Sequence, residues 1–280
     1  MLLAIWVDVQ KTDLTVNYSS MSVIKADFDR LALLDAKGWT QNNHYHDFLL
    51  RHVPNDCQNA LEVGCGTGAF ARRLAERARH VVVLDLSPEM IRVARSRSAE
   101  FPKLEFHVAD AMSWDSPAAH FDCIATIATL HHLPLREAIL KLRDALKPGG
   151  VLIVLDLFEP IKWHGHPARD SREGRACHHQ TASVREGLVD TFLNLIAMGV
   201  SVSLRLIQNG RLKPPRAVRA AWAAHEQHDS YPKMSEIREL CAEILPGAAV
   251  KRHLLWRYSI IWQKPGTGIP SRAAGLAWGG

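Results

Sequence analysis

Three glycines alternate with other residues in the stretch Leu61-Glu-Val-Gly-Cys-Gly-Thr-Gly68, which follows an apolar run and precedes an amphipathic one. Gly64, Gly66 and Gly68 allow the backbone to turn steeply and to approach a ligand closely. The spacing is GxGxG, whereas diphosphate binders carry GxGxxG, and an acid, Glu62, precedes the loop. A carboxylate is unfavourable beside a diphosphate but favourable beside an ammonium and a sulfonium. The loop therefore predicts a site for S-adenosylmethionine (SAM).

Two further acids follow the next two apolar runs. Asp85 ends Val81-Val-Val-Leu-Asp85, and Asp110 follows Phe106-His-Val-Ala. A carboxylate at the tip of the second strand can accept hydrogen bonds from both ribose hydroxyls, and Asp110 can bind the adenine amino group. A single strand-end Asp equally often caps the next helix. Three acids at successive strand ends beside a glycine loop favour a nucleoside site.

Short apolar runs alternate with amphipathic segments from Asn59 onward, which predicts βαβ units and a mostly parallel sheet with helices on both faces. The predicted strands are Ala60–Val63, Val81–Leu84, Leu104–Val108, Phe121–Ile127 and Val151–Leu157, with helices over 69–78, 88–99 and 134–146 between them. The Pro and Gly residues of Lys147-Pro-Gly-Gly150 predict a sharp break before the fifth strand. Val250–Leu255 and Tyr258–Gln263 lie too close for a crossover helix and predict an antiparallel hairpin.

The segments outside this core differ in pattern. Helical spacing over 26–53, with a turn at 37–43, predicts an N-terminal helical cover, and helices are predicted at about 183–198, 216–227 and 233–244. The predicted organisation is an N-terminal cover at 1–54, a core at 55–158, a helical insertion covering the acceptor at 159–245, a closing hairpin at 246–264 and a disordered tail at 265–280.

Composition limits the class of protein. The chain has 280 residues, a formal charge of +5 and a sequence pI near 9.0, with its basic residues spread along the sequence. Its five cysteines form no CxxC pair, so neither a disulfide framework nor a cysteine-based zinc site is predicted, and a reducing cytoplasm is expected. Asp8 interrupts the first apolar residues, and eighteen apolar residues never run together, so neither a secretory signal nor a membrane span is expected. Met21 is a candidate alternative start.

Residues 59–158 resemble the core of the class I SAM-dependent methyltransferases of the small-molecule type. The resemblance rests on the glycine loop with Glu62, on Asp85 and Asp110, on Leu146-Lys-Pro-Gly-Gly150 and on the closing hairpin. It implies a Rossmann-like α/β fold with a seven-stranded, mostly parallel sheet whose last strand is antiparallel. The residues expected to bind the cofactor are Glu62, Gly64, Cys65, Gly66, Gly68, Asp85, Leu86, Met90, Asp110, Ala111, Ile127 and Tyr45.

Within this set the resemblance implies separate tasks. Leu86 and Met90 would pack on the adenosine, and Ile127 would lie near the methionine part. Tyr45 would approach the sulfonium from the N-terminal cover. The alternative for Tyr45 and its neighbour His46 is a helix face packed on the core.

Methyl transfer from a sulfonium is an in-line displacement, in which the protein aligns the nucleophile, the methyl group and the leaving sulfur. A general base helps when the acceptor is a hydroxyl or a protonated amine. The candidates are His131 and His132 after the fourth strand, Asp156 at the end of the fifth, and histidines of the insertion. His131, Asp156 and Tyr45 are the predicted catalytic residues. The alternatives are a helix-entry role for His131 and a capping role for Asp156.

The insertion holds further histidines, for which two interpretations are open. The histidines that could ligate zinc are His164, His166, His178 and His179, together with His225 and His228 of the later run Trp222 to Tyr231. No cluster shows four ligands at a recognised spacing, and lining of a surface or pocket is the simpler interpretation. The run from Trp222 to Tyr231 is a candidate lining of the acceptor pocket. The segment from Thr126 to His131 holds none of the acids that bind a cation in catechol-type members, so no metal is predicted.

Two other functions remain open on sequence grounds. An RNA or protein methyltransferase is one, because a basic stripe could contact phosphates; it consists of Arg205, Arg211, Lys213, Arg216 and Arg219. A solvated helix face explains the same residues, and we expect a small-molecule acceptor without nucleic-acid or membrane partners. The second alternative is a SAM-binding protein without catalysis, and a nicotinamide dehydrogenase is more distant. The sequence specifies neither the acceptor nor the oligomeric state.

Overall fold

The computed structural model describes residues 18–34, 38–159, 184–210, 212–227 and 229–266. Helices and strands alternate through most of this part of the chain. The elements are α1 (Tyr18–Leu33), α2 (His46–Leu50), β1 (Asn59–Val63), α3 (Ala69–Leu74), β2 (His80–Asp85), α4 (Pro88–Arg97), β3 (Leu104–Val108), β4 (Phe121–Ile127), α5 (Leu135–Ala145), β5 (Leu146–Leu157), α6 (Val184–Asn209), α7 (Arg216–His225), α8 (Met234–Ile244), β6 (Ala249–His253) and β7 (Arg257–Gln263). Short 3-10 turns lie at Asn43–Tyr45 and Leu130–His132.

The seven strands form one sheet in the order β3-β2-β1-β4-β5-β7-β6. The first five strands are parallel to their neighbours, whereas β7 pairs antiparallel with both β5 and β6. The predicted fold class is therefore confirmed, including the closing hairpin. Because strand order reverses between β1 and β4, the carboxyl ends of β1 and β4 flank the crevice in which such sheets bind ligands.

The central strands are mostly apolar because both faces of the sheet are covered. Successive side chains of a strand point to opposite faces. Val81 and Val83 pack on the side of α2, α3 and α4, whereas Val82 and Leu84 pack on the side of α5 and α8. The result is a three-layer α/β/α arrangement whose rigid sheet holds the strand ends in place.

The predicted break at Lys147-Pro-Gly-Gly150 is wrong, because these residues lie inside β5. The strand absorbs them as an irregularity in register: Phe121 pairs with Leu146, and Cys123 pairs with Val151. The backbone of this segment bonds to Lys264 instead. The Gly149 amide donates to the Lys264 carbonyl, and the Lys264 amide donates to the Gly150 carbonyl, each at 2.8 Å.

Helix α6 is longer than predicted, since it continues through Gly199 to Asn209. Ala197 and Ser201 on its inner face stay buried on both sides of the glycine, which explains why the helix continues. Over Phe192–Asn209 it is long and apolar enough to cross a membrane, by length and composition only; the mean hydropathy is 1.2, and 11% of the window is buried. Arg205 and five uncharged polar residues interrupt this window, so the sequence shows no unbroken apolar run.

Several predictions made from the sequence fall outside the described residues. They concern residues 1–17, the greater part of the tail at 265–280, and the segment 160–183 with His164, His166, His178 and His179. Arg211 and His228 lie outside as well. Four described cysteines, Cys57, Cys65, Cys123 and Cys241, are buried free thiols.

The irregular register of β5 leaves little room for a side chain at Gly150, and this can be tested by substitution. A Cβ atom there would lie 2.9 Å from the Phe121 carbonyl oxygen and 3.0 Å from that of Lys147. Because both atoms belong to backbone that cannot swing away, Gly150→Ala should lower the free energy of unfolding by about 1–3 kcal/mol. Urea denaturation followed by circular dichroism measures the change.

Gly199→Ala is the matched control, since a Cβ atom at this helical position meets open space. The exchange should raise the free energy of unfolding by up to about 1 kcal/mol through helix propensity alone. Equal stability of the Gly150 variant and the wild type would contradict the described register of β5.

Candidate cofactor and acceptor site

The glycine loop between β1 and α3 has the left-handed backbone that its sequence predicts. Gly64, Gly66 and Gly68 have φ values of +73°, +52° and +73°. A Cβ atom at Gly64 would lie 2.0 Å from the hydroxyl oxygen of Thr129, whereas one at Gly66 would meet open space. The Gly64 position is closed by packing, and the Gly66 position leaves room for a ligand against the backbone.

Asp85 holds this loop in place from the end of β2. Its Oδ2 accepts the Gly66 amide at 2.8 Å, and its Oδ1 accepts the Ser87 amide at 2.9 Å. Burial raises the pKa of Asp85 to about 6, although the Ser87 and Gly66 amides oppose that shift. Each oxygen retains a further lone pair, so Asp85 can still accept ligand hydroxyls.

Glu62 lies at the base of the loop near the end of β1. Its side chain is buried, and its Oε2 atom has no hydrogen-bond partner. Burial, followed by the nearby Asp85 carboxylate, raises the pKa of Glu62 to about 8, and the Arg72 guanidinium opposes the shift only in part. A buried carboxylate oxygen without a donor is costly, and a bound ammonium would remove that cost.

The end of β3 forms an open, partly apolar edge. Val108 is half-exposed, at 51%, and the neighbouring Asp110 is half-buried. The Asp110 Oδ1 accepts the Met112 amide at 2.9 Å, which leaves Oδ2 available to an amino group. An apolar surface beside a carboxylate fits a flat base with an exocyclic amine.

The other predicted cofactor contacts differ in how open they are. Leu86, Ala111 and Ile127 are half-buried around the strand ends. Cys65 is buried in the loop, and burial raises the pKa of its thiol well above the ordinary value. Met90 is buried in a cluster with Leu31 of α1 and Ala221 of α7. Helices α1 and α7 therefore cover the adenosine side predicted for Met90.

Tyr45 lies against the turn between β6 and β7. Its hydroxyl donates to the Leu254 carbonyl, and its ring lies 5.2 Å from that of His253. Burial raises the pKa of Tyr45 to about 12. His46 is also buried, against Phe70, and burial lowers the pKa of His46 to about 4. These contacts correspond to the packing alternative, so the approach of Tyr45 to a sulfonium stays a prediction.

His131 and Asp156 meet at the carboxyl ends of β4 and β5. The His131 Nδ1 lies 2.6 Å from the Asp156 Oδ1, and the two side chains are 4% and 1% exposed. Asp156 also accepts the backbone amides of His131 at 3.2 Å and Leu157 at 2.7 Å. The structure thus brings two of the predicted catalytic residues together as a buried pair. The two backbone amides that Asp156 accepts also agree with the capping role that was its alternative.

Beside this pair lie residues from the run that the sequence marks as a candidate acceptor lining. The Tyr231 ring lies 5.2 Å from that of His131, and its hydroxyl donates to the Asp229 Oδ2 at 2.8 Å. The His132 ring is 3.9 Å from that of His131. Burial, followed by the charge of His131, lowers the pKa of His132 to about 4, and Asp229 opposes that shift.

Sequence reasoning missed three charged residues near the site. Asp29 of α1 accepts the Ser87 hydroxyl at 2.5 Å and thereby ties α1 to the start of α4. Asp27 of α1 lies 3.4 Å from the His225 Nδ1. Arg257 is buried, and its Nε donates to Asn42 at 2.7 Å. Each pairs with residues far away in sequence, so no local motif marks it.

The described residues fit SAM. The unpartnered Glu62 oxygen would accept the ammonium, and the open backbone at Gly66 gives room for the methionine part. Asp85 and Asp110 would bind the ribose and the adenine amine through their remaining lone pairs. These positions all lie at one edge of the sheet, as an extended nucleoside ligand requires.

Comparison with known proteins agrees with this geometry. Residues 60–150 match the methyltransferase domain family. An uncharacterized methyltransferase of Mycobacterium tuberculosis is 29% identical over 231 residues, which are 81% of this chain and 98% of that protein. A ubiquinone biosynthesis O-methyltransferase of Xylella fastidiosa is 36% identical over 112 residues, 39% of this chain and 45% of that protein.

The fold agrees with solved structures as well. The N-methyltransferase NodS from Bradyrhizobium japonicum, in complex with S-adenosylhomocysteine (SAH), matches with a TM-score of 0.52 at 16% identity and covers 88% of this chain and 98% of its own. The domain match, the relatives and the fold support a class I SAM-dependent methyltransferase with SAM as its methyl donor.

Asp85→Asn tests the cofactor site. The amide keeps one acceptor oxygen but loses the charge that strengthens hydrogen bonds to the ribose. SAM affinity should therefore fall at least tenfold, which corresponds to a loss of about 1.5–3 kcal/mol in binding free energy. Calorimetric titration with SAM and SAH measures the loss. Asp144→Asn, at an exposed carboxylate of α5, is the control and should bind like the wild type. Unchanged affinity of the Asp85 variant would place the ribose elsewhere.

Glu62→Gln tests the buried charge through pH. The pKa of Glu62 is about 8 in the folded chain and 4.5 ordinarily, so the native state holds a proton that the unfolded chain releases between these values. Stability without SAM therefore falls as pH rises through that window. The variant lacks this loss and should gain on the wild type between about pH 5 and about pH 8, by on the order of a few kcal/mol.

Urea denaturation at a series of pH values, without SAM, measures that gain. Glu76→Gln removes an exposed carboxylate and serves as the control, with no comparable change across the window. A constant difference between the Glu62 variant and the wild type would show that Glu62 is charged in the folded protein.

Proposed function

We propose that this methyltransferase acts on a hydroxyl or amine group of a small molecule bound beside His131 and Asp156. The observation that carries the proposal is their buried contact of 2.6 Å at the ends of β4 and β5. Since β1, β4 and β5 are parallel neighbours, this pair lies at the sheet edge that also holds the glycine loop. An acceptor there would be close to the methyl donor.

The hydrogen bonds of Asp156 define the role of His131. The carboxylate accepts two backbone amides, so it acts as an acceptor and the His131 Nδ1 carries the proton between them. The His131 Nε2 is then left with its lone pair. It can take the acceptor's proton as the acceptor atom bonds to the methyl carbon. SAM supplies that methyl group on a positively charged sulfur, which leaves in SAH.

The surroundings of His131 and Asp156 favour a small acceptor bound in a site that excludes water. Tyr231 and Phe28 present aromatic rings beside the buried imidazoles of His131 and His132. Aromatic rings combined with convergent polar groups are typical of small-molecule sites. These residues come from α1, the turn after β4 and the segment after α7, which supports the proposal that residues 159–245 cover the acceptor.

The relatives support an oxygen or nitrogen acceptor without deciding between them. The Xylella protein is named an O-methyltransferase, and the Bradyrhizobium protein is named an N-methyltransferase. A neutral imidazole base serves both chemistries, because a phenol and a protonated amine each lose one proton on methylation.

Asp156→Asn and His131→Gln test the acceptor side. Removing the base or its orienting carboxylate should lower the turnover rate by about 10²–10⁴-fold. SAM affinity should stay within about twofold of wild type, because neither side chain belongs to the proposed cofactor contacts. The assay measures SAH release with a panel of phenols, catechols and primary amines. His80→Asn, at a surface imidazole on the opposite end of β2, is the control.

Transfer to RNA is the outcome that would contradict this proposal. Lys213, Arg216 and Arg219 are exposed around the start of α7 and offer a basic surface. If methylation of bulk transfer RNA proceeds with a steep salt dependence while every small acceptor fails, the basic surface carries the function instead.

A further inference from the structure

A second group of imidazoles and carboxylates lies next to the His131–Asp156 pair. His132, Asp229, His225 and Asp27 come from the turn after β4, the loop after α7, α7 and α1. Their side chains are between 2% and 8% exposed. Two acids and two histidines buried in contact need a compensating arrangement, because charges and polar atoms are costly in such a place.

Asp229 holds the unexplained atom of this group. Its Oδ2 accepts the Tyr231 hydroxyl, but its buried Oδ1 accepts no hydrogen bond. Two imidazole nitrogens lie near this oxygen, the His132 Nδ1 at 3.4 Å and the His225 Nε2 at 3.6 Å. Both distances exceed the usual 2.7–3.2 Å range of an N–H···O hydrogen bond. The oxygen therefore lies close to two imidazole nitrogens without a hydrogen bond to either.

The same distances suit ligands of one metal ion. Bonds of about 2.0–2.2 Å in a tetrahedral site separate neighbouring ligand atoms by about 3.4 Å. The His132 Nδ1 and Asp229 Oδ1 already lie 3.4 Å apart. One ligand atom from each of His131, His132 and Asp229 lies within 4.8 Å of the other two. Small side-chain rotations would bring all three onto a common ion.

Asp156 then has a second task. Metal-ligating histidines usually donate their other ring N–H to a carboxylate, which fixes the tautomer and the orientation of the ring. The contact of the His131 Nδ1 with Asp156 provides this arrangement and leaves Nε2 to ligate. The His225 Nε2 lies 3.6 Å from the Asp229 Oδ1, and its Nδ1 lies 3.4 Å from Asp27, so His225 can help to orient Asp229.

We propose that His131, His132 and Asp229 bind a divalent transition-metal ion of the zinc type, with a fourth position open to an oxygen or nitrogen atom of the acceptor. Two imidazoles to one carboxylate favour zinc over magnesium or calcium, which prefer oxygen ligands. Three protein ligands with one open position are typical of catalytic zinc sites. The link to the acceptor rests on the proposed function, whereas metal binding itself does not. A bound ion would occupy the His131 Nε2, so it would activate the acceptor in place of the free imidazole base.

This proposal differs from the sequence analysis, which predicted no metal. That prediction considered the acids of catechol-type members and the histidines of one segment at a time. Here the ligands are separated by 97 positions, from His132 to Asp229, and only folding brings them together.

The test uses the untagged full chain, stripped with a chelator and titrated with Zn²⁺ by calorimetry. Co²⁺ is the spectroscopic probe, because its visible absorption reports four-coordinate nitrogen and oxygen ligands. The wild type should bind one equivalent and show a raised thermal midpoint when loaded. Asp229→Asn and His132→Gln should each bind at least 100-fold more weakly, and Asp156→Asn about 10–100-fold more weakly. His107→Asn, at a surface imidazole, is the control.

Thermal unfolding of the metal-free variants separates lost ligands from lost folding, and at least one ligand variant must keep the wild-type midpoint for the comparison. If that variant binds as tightly as the wild type, the metal lies elsewhere and the proposal is overturned. Failure to bind Zn²⁺ or Co²⁺ at about 100 μM, which is weaker than any structural or catalytic site, overturns it too.

Activity distinguishes this failure from failure of the proposed function. Methyl transfer by a chain that binds no metal would leave His131 as a free base and reject only the metal site. Tight metal binding without transfer to any phenol, catechol or amine would keep the site and reject the proposed acceptor class.

Discussion

The carboxylate of Asp85 fixes the geometry of the cofactor edge, because it is shared by two loops. One oxygen holds the Gly66 amide of the glycine loop, and the other holds the Ser87 amide at the start of α4. Ser87 in turn donates to Asp29 of α1. The strand end, the loop and the N-terminal helix are thereby connected by three hydrogen bonds. Removing the carboxylate would release the first two of them at the point where the ribose is expected.

This arrangement places two acidic side chains where little water can screen a charge on either of them. Glu62 and Asp85 are both buried, and each has its pKa raised by burial. Arg72 contributes only partial compensation from its half-buried position. A cofactor with an ammonium and a sulfonium supplies the missing positive charge. The unliganded site is therefore destabilised in the direction that favours cofactor binding, as is common where stability and function compete.

The sequence predicted those features that leave a local pattern, and it did not predict those that depend on contacts between distant residues. Alternating apolar runs identified the five parallel strands and the closing hairpin, because strand burial leaves a periodic signal. The glycine loop with Glu62, Asp85 and Asp110 was readable for the same reason: each lies beside its own strand. Lys147-Pro-Gly-Gly150 misled because Lys264, distant in sequence, bonds to its backbone. Asp27, Asp29 and Arg257 leave no local signal at all.

The cofactor side and the acceptor side of the site share one physical feature. Among the described residues, two buried carboxylate oxygens make no hydrogen bond, Glu62 Oε2 and Asp229 Oδ1. The first lies under the glycine loop and the second beside the His131–Asp156 pair. Leaving such an oxygen without a partner costs about 1–3 kcal/mol or more, which a fold tolerates where a ligand restores the partner. On this argument, Glu62 Oε2 would bind the ammonium of the methyl donor, and Asp229 Oδ1 would bind a metal ion on the acceptor side.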